Sequence, residues 1–114
     1  MHLAQWAEVV GNNRAASKLL GEHNAGMLAA YRGLNEALSG SQTLDAKTRE
    51  LIALAVAVTT RCDGCIGSHA AAARKAGATE AEVSEALGVA IALNAGAAYI
   101  YSLRALDAFD AFKE

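Results

Sequence analysis

The chain has 114 residues, of which 54% are hydrophobic and 19% charged, with a formal net charge of −2. Such a composition excludes a disordered chain, and the length predicts one domain over residues 1–114. Acids and bases are interspersed, with no basic stripe and no like-charge tail, so neither nucleic acid nor a membrane surface is expected as a partner.

Alanine makes up much of the apolar share and buries little area per residue. A monomer would have a thin core, which predicts a homo-oligomer. The first six residues lack the basic start and apolar run of a signal peptide, and a cytoplasmic location is expected.

In chain order, Leu3, Trp6, Ala7 and Val10 follow the spacing of one helix face. Met27, Tyr31, Leu34 and Leu38 repeat it in a second helix that Gly40 can end. Thr43 or Asp45 can cap a third helix, which passes through Glu50 into residues 51–58. That stretch is apolar on every side, so the helix should be buried all round, at the centre of the fold or of the oligomer. A fourth helix is predicted over residues 62–76, with Arg74 and Lys75 in its last turn and Gly77 as its stop.

Thr79 and Glu82 then form a capping box for a fifth helix, with Val83, Leu87, Ala90 and Ile91 on its core face. Residues 86–103 carry no charge, but Asn94, Ser102 and two glycines interrupt them. They read as a buried or interfacial helix rather than a membrane span. A sixth helix is expected over about residues 95–112. There is no proline and no strand-like alternation, so the fold class is all-α with about six helices.

Chemistry concentrates in Cys62-Asp63-Gly64-Cys65 and His69. On a helix these cysteines and the histidine stand at i, i+3 and i+7, on one face. A thiol in a first helical turn feels the positive end of the helix dipole, which favours the thiolate. A second thiol nearby can resolve a sulfenic acid as a disulfide, and His69 can take the proton that the thiol loses.

Thioredoxin-like proteins share the cysteine spacing, but they need a central sheet and a cis-proline that this chain lacks. Zinc is the competing reading, with Cys62, Cys65, His69 and Glu50 as a tetrahedral set. Against it, structural zinc sites usually hold their thiolates on a knuckle and bring a second cysteine pair. A blander alternative is two buried structural thiols beside a surface histidine. Glu50 alone reads as a solvated acid, although a carboxylate at the edge of an apolar helix can be desolvated into a base. His2 and His23 read as surface residues. Trp6, Tyr31, Tyr99 and Tyr101 read as core or interface anchors.

Glu50, eleven residues, Cys62-x-x-Cys65, three residues and His69 together resemble the AhpD-like alkylhydroperoxidases of the carboxymuconolactone decarboxylase superfamily. The match is clearest over residues 43–78, including the run from Arg49 to Leu54, and continues more loosely to about residue 108. The resemblance implies an all-helical fold assembled as a homotrimer or homohexamer, with no bound cofactor or metal.

It also implies roles. Cys65 attacks a peroxide, Cys62 resolves it and meets the reductant, and Glu50 and His69 relay the proton. The implied electron donor is a dithiol, such as a lipoyl-bearing carrier protein or a thioredoxin-like reductase. A disulfide reductase or redox sensor, and a non-redox metal-binding module, are the alternatives.

One position departs from the pattern. The best-known peroxidases of this type carry a histidine immediately before the second cysteine, and this chain has Gly64, so the implied relay has one member fewer. The decarboxylase branch typically lacks the thiol pair, which argues against lactone decarboxylation here.

Overall fold

The computed structural model describes residues 2–40 and 43–114, and every regular element among them is a helix. The order is α1 (Trp6–His23), α2 (Ala25–Ser39), α3 (Ala46–Thr60), α4 (Asp63–Lys75) and α5 (Glu80–Ala111). Caps fix most of the boundaries. Asn24 accepts from the Met27 amide to start α2, and Asp45, rather than Thr43, accepts from the Thr48 amide at 2.7 Å to start α3.

The expected capping box opens α5. The Glu82 amide donates to Thr79 Oγ1 at 3.1 Å, and the Thr79 amide donates to Glu82 Oε1 at 3.0 Å. Gly77 ends α4 with a φ of +89°. The Ala78 amide reaches the Ala73 carbonyl and the Gly77 amide reaches the Arg74 carbonyl, so the free carbonyls of the last turn are satisfied.

Two sequence expectations need correction. Among the described residues five helices are present where about six were predicted, because the fifth and sixth are one continuous helix of 32 residues. Asn94 does not break it. Its side-chain amide donates to the Ala90 carbonyl at 2.7 Å and to Thr59 Oγ1 at 2.9 Å, which ties α5 to α3. An interior glycine costs only about 1 kcal/mol, so Gly96 is carried by the helix on either side of it.

The second correction concerns α3, which is not buried all round. Leu54 and Ala57 are buried, whereas Ile52 and Val56 are exposed. Leu3 also lies outside α1 and exposed, so Trp6 and Val10 carry the packing of that helix.

α3 packs against α4 and α5, and α1 packs against α4 and α2. The buried set is made of small residues, Ala57, Gly67, Ala73 and Ala90, with Leu54 as the one large side chain. Small residues let the helices approach closely. At Gly67, an added Cβ would stand 2.8 Å from Val10 Cγ2 and 3.6 Å from the Trp6 carbonyl oxygen. Lys47 and Glu82 pair at 2.8 Å across the starts of α3 and α5. That hydrogen bond holds the Glu82 carboxyl below its ordinary value and the Lys47 ammonium above its own.

Much apolar surface stays uncovered. Along α2, Met27, Tyr31, Leu34 and Leu38 are all exposed, and the far end of α5 leaves Phe109 82% and Phe112 86% exposed. The accessible surface is 9131 Å², where a compact monomer of this mass would show about 5,900 Å². The radius of gyration is 18.6 Å, against about 13 Å for a compact chain of this length. By length and composition α5 could also cross a membrane.

Candidate active site

The turn between α3 and α4 places the cysteines. Arg61 closes α3 in the left-handed conformation, with φ 56° and ψ 50°, and Cys62 follows as the N-cap of α4. Its sulfur accepts the Cys65 amide at 3.2 Å. Cys65 therefore lies in the first turn of α4, where the helix dipole favours an anionic sulfur. The two Cα atoms are 5.2 Å apart and the sulfurs stand at disulfide distance. Both residues are half-buried, which differs from the bland expectation of two buried thiols.

His69 sits one turn beyond Cys65 on the same face of α4. Its Nδ1 lies 2.7 Å from Glu50 Oε2, which reaches over from α3 across a sequence separation of 19. The side chains are 35% and 24% exposed, so Glu50 is not the solvated surface acid that its position alone suggested. With Nδ1–H donating to the carboxylate, Nε2 is left as the basic nitrogen of the ring. Glu50, Cys65 and His69 thus line one cleft, while Cys62 shares a second one with Cys65 and His69. Among the described residues, no group of three or more His, Cys, Asp or Glu is arranged to hold a metal.

Two clefts meet at Cys65 and His69. One, of about 580 Å³, runs along α2 and α3 past Leu38, Ile52, Ala53 and Val56 and also holds Glu50. The other, of about 480 Å³, is lined by Asn13, Arg14 and Ser17 of α1, Tyr31 and Asn35 of α2, and Ser68 of α4. Cys62 lines only this second, more polar cleft.

None of the α1 residues was legible as part of a site, because nothing in their spacing links them to Cys62. Tyr31, read from sequence as a core or interface anchor, also proves to line this cleft. The one available signal was the smallness of Gly64. A Cβ there would meet Asn13 Nδ2 at 2.5 Å, so glycine at this position and asparagine on α1 fit each other.

A side chain at Gly64 would displace only the exposed end of Asn13, so Gly64→Ala should change stability by less than about 1 kcal/mol. Denaturant unfolding checks this, and a large fall in the midpoint would contradict it.

The carboxymuconolactone decarboxylase family model matches residues 25–108. The chain belongs to that family. An uncharacterized protein of Haemophilus influenzae is 57% identical over 108 residues, covering 95% of this chain and 96% of its own. "Uncharacterized protein 4 in cox locus" of Paracoccus denitrificans is 40% identical over 98 residues, covering 83% of this chain and 88% of its own.

Among solved structures, a carboxymuconolactone decarboxylase family protein from Legionella pneumophila superposes with a TM-score of 0.73 at 31% identity, over 96% of this chain and 98% of its own. A protein from Methanobacterium thermoautotrophicum superposes with a TM-score of 0.67 at 32% identity, over 73% of this chain and 93% of its own. The resemblance read from the motif is thus borne out, and α1 precedes the residues that the family model matches.

Proposed function

We propose that the chain is a thiol-dependent peroxidase acting through Cys65 and Cys62. The observation that carries this reading is the 2.7 Å contact between His69 Nδ1 and Glu50 Oε2 beside a cysteine pair at disulfide distance. In the reduced protein Glu50 orients the imidazole, and Nε2 takes the proton of the Cys65 thiol. The thiolate attacks the terminal hydroperoxide oxygen. An S–O bond forms, the O–O bond breaks, and the alkoxide leaves as an alcohol with the proton from His69.

The Cys62 thiol then displaces water from the Cys65 sulfenic acid, giving the disulfide. A dithiol donor, a lipoyl-bearing carrier protein or a thioredoxin-like reductase, returns both thiols and is itself oxidised. The apolar cleft beside Cys65 suits a hydroperoxide with a hydrocarbon body.

The test is consumption of cumene hydroperoxide with dithiothreitol as donor, followed by mass-spectrometric mapping of each thiol. Catalytic turnover with oxidation at Cys65 is the expected result; an unmodified Cys65 overturns the reading. Gly64 favours one second reading, a disulfide reductase or redox sensor. That protein would cycle the Cys62–Cys65 disulfide in the same assay with negligible peroxide turnover.

In this reading the location is cytoplasmic, where a reducing pool keeps the pair cycling. A second copy of the chain, rather than lipid, covers the open face of α5. The excess surface of roughly 3,200 Å² is in the range of an obligate subunit interface, and Arg104, Asp107 and Asp110 charge the far end of α5. Sedimentation in detergent-free buffer should give a trimer or hexamer of the 11.7 kDa chain. A soluble monomer would contradict it.

A further inference from the structure

We propose that the two half-reactions use separate entrances, and that α1 builds the reductant's. This rests on the peroxidase reading for the oxidising step but not for the reducing one. Cys65 is lined by both clefts, whereas Cys62 is lined only by the cleft that Asn13, Arg14 and Ser17 wall off.

Reduction of a disulfide begins with a thiolate attacking one sulfur in line with the S–S bond. The sulfur that is attacked is set by access. A dithiol coming through the α1 cleft meets Cys62, forms a mixed disulfide there, and expels Cys65 as thiolate into the first turn of α4. That turn lies at the positive end of the helix dipole, which favours an anionic sulfur. The donor's second thiolate then attacks its own sulfur in the mixed disulfide and releases Cys62. Two electrons and two protons pass from the donor, which leaves as a disulfide.

The polar lining of this cleft contrasts with the apolar wall of Ile52, Ala53 and Val56 on the other side of Cys65. The chemistry of the two visitors differs in the same sense. A dithiol attacking as thiolate is polar, and Arg14 stands beside its path. A hydroperoxide with a hydrocarbon body is not polar over most of its surface. Asn13 is the specificity-determining side chain in this arrangement, because it stands against the glycine that separates the cysteines. With a side chain at Gly64 in its place, the floor of the cleft would be filled.

The experiment separates the half-reactions. The disulfide form is prepared with a diazenedicarboxamide oxidant, so no peroxide is needed, and its reduction by dithiothreitol is followed by quenched alkylation. Ser17→Phe, which fills the α1 cleft, should slow reduction on the order of tenfold by blocking access. Oxidation of the reduced variant by cumene hydroperoxide should stay at the unsubstituted rate. Val56→Phe, which fills the other cleft, should show the reverse.

Arg14→Phe serves as a second blocking variant, and circular dichroism confirms the helical fold of each. Asn13→Ala, which widens the cleft, should speed reduction. Equal slowing of both half-reactions by Ser17→Phe and Arg14→Phe, or no effect on reduction by either, overturns the separate entrances. If no variant or parent is oxidised by peroxide, the peroxidase reading fails, while the dithiothreitol arm still decides the reductant's entrance.

Discussion

Cys65→Ser should abolish thiol-dependent peroxide consumption, with a loss on the order of a thousandfold or more, because a serine hydroxyl is not ionised here and cannot form a sulfenic acid. Cys62→Ser should behave differently. It keeps the attacking sulfur, so one equivalent of peroxide should be consumed in a burst. The reaction should then stop at a Cys65 sulfenic acid, or at a mixed disulfide when a monothiol is present. Mass spectrometry of the two variants after a single addition of peroxide reads both outcomes. Equal steady-state turnover in both variants would remove the thiol pair from the mechanism.

The fold should tolerate these changes in the reduced state. Neither cysteine is buried, and the core rests on Leu54, Ala57, Ala73 and Ala90. Loss of activity with an unchanged helical spectrum therefore reports on chemistry.

The second large effect is expected at the relay. Glu50→Gln retains an acceptor for the His69 ring N–H but removes the negative charge beside the imidazole. His69→Asn removes the base itself. Positioned acid–base groups contribute roughly a hundredfold to ten-thousandfold to rate, so His69→Asn should cost at least the lower figure and Glu50→Gln less. Stability should change little by comparison, since a partly exposed pair is worth at most about 1 kcal/mol.

The pH profile supplies a readout that a structural role would not move. If Glu50 and His69 act on Cys65 as proposed, alkylation of the reduced parent should stay fast below about pH 7. In both variants the rate should then fall at a higher pH. A profile identical to the parent's would assign Glu50 and His69 a packing role only.

Much of this protein was legible in the sequence because it is encoded locally. Asp45, Thr79 with Glu82, and Gly77 act within three or four residues of themselves, so their caps and stop could be read without a partner element. Cys65 and His69 likewise share α4, with Cys62 as its N-cap, and helical periodicity alone puts the first two on one face. The division of the last segment into two helices did not hold, since residues 80–111 form one helix in which the Asn94 side chain donates to the Ala90 carbonyl and across to Thr59 of α3.

What lies across helices needed the tertiary structure. Glu50 and His69 are 19 residues apart, and only the packing of α3 on α4 brings carboxylate and imidazole to 2.7 Å. No spacing rule connects Asn13 with Gly64 either. Their fit depends on α1 crossing α4 at Gly67, where the absence of a side chain lets the two backbones close. The amino-acid order by itself singled out the residues proposed to carry the redox chemistry. The packing of α1, α3 and α4 decided which of them touch and which cleft opens onto each sulfur, because those distances depend on side-chain volumes at helix crossings that are far apart along the chain.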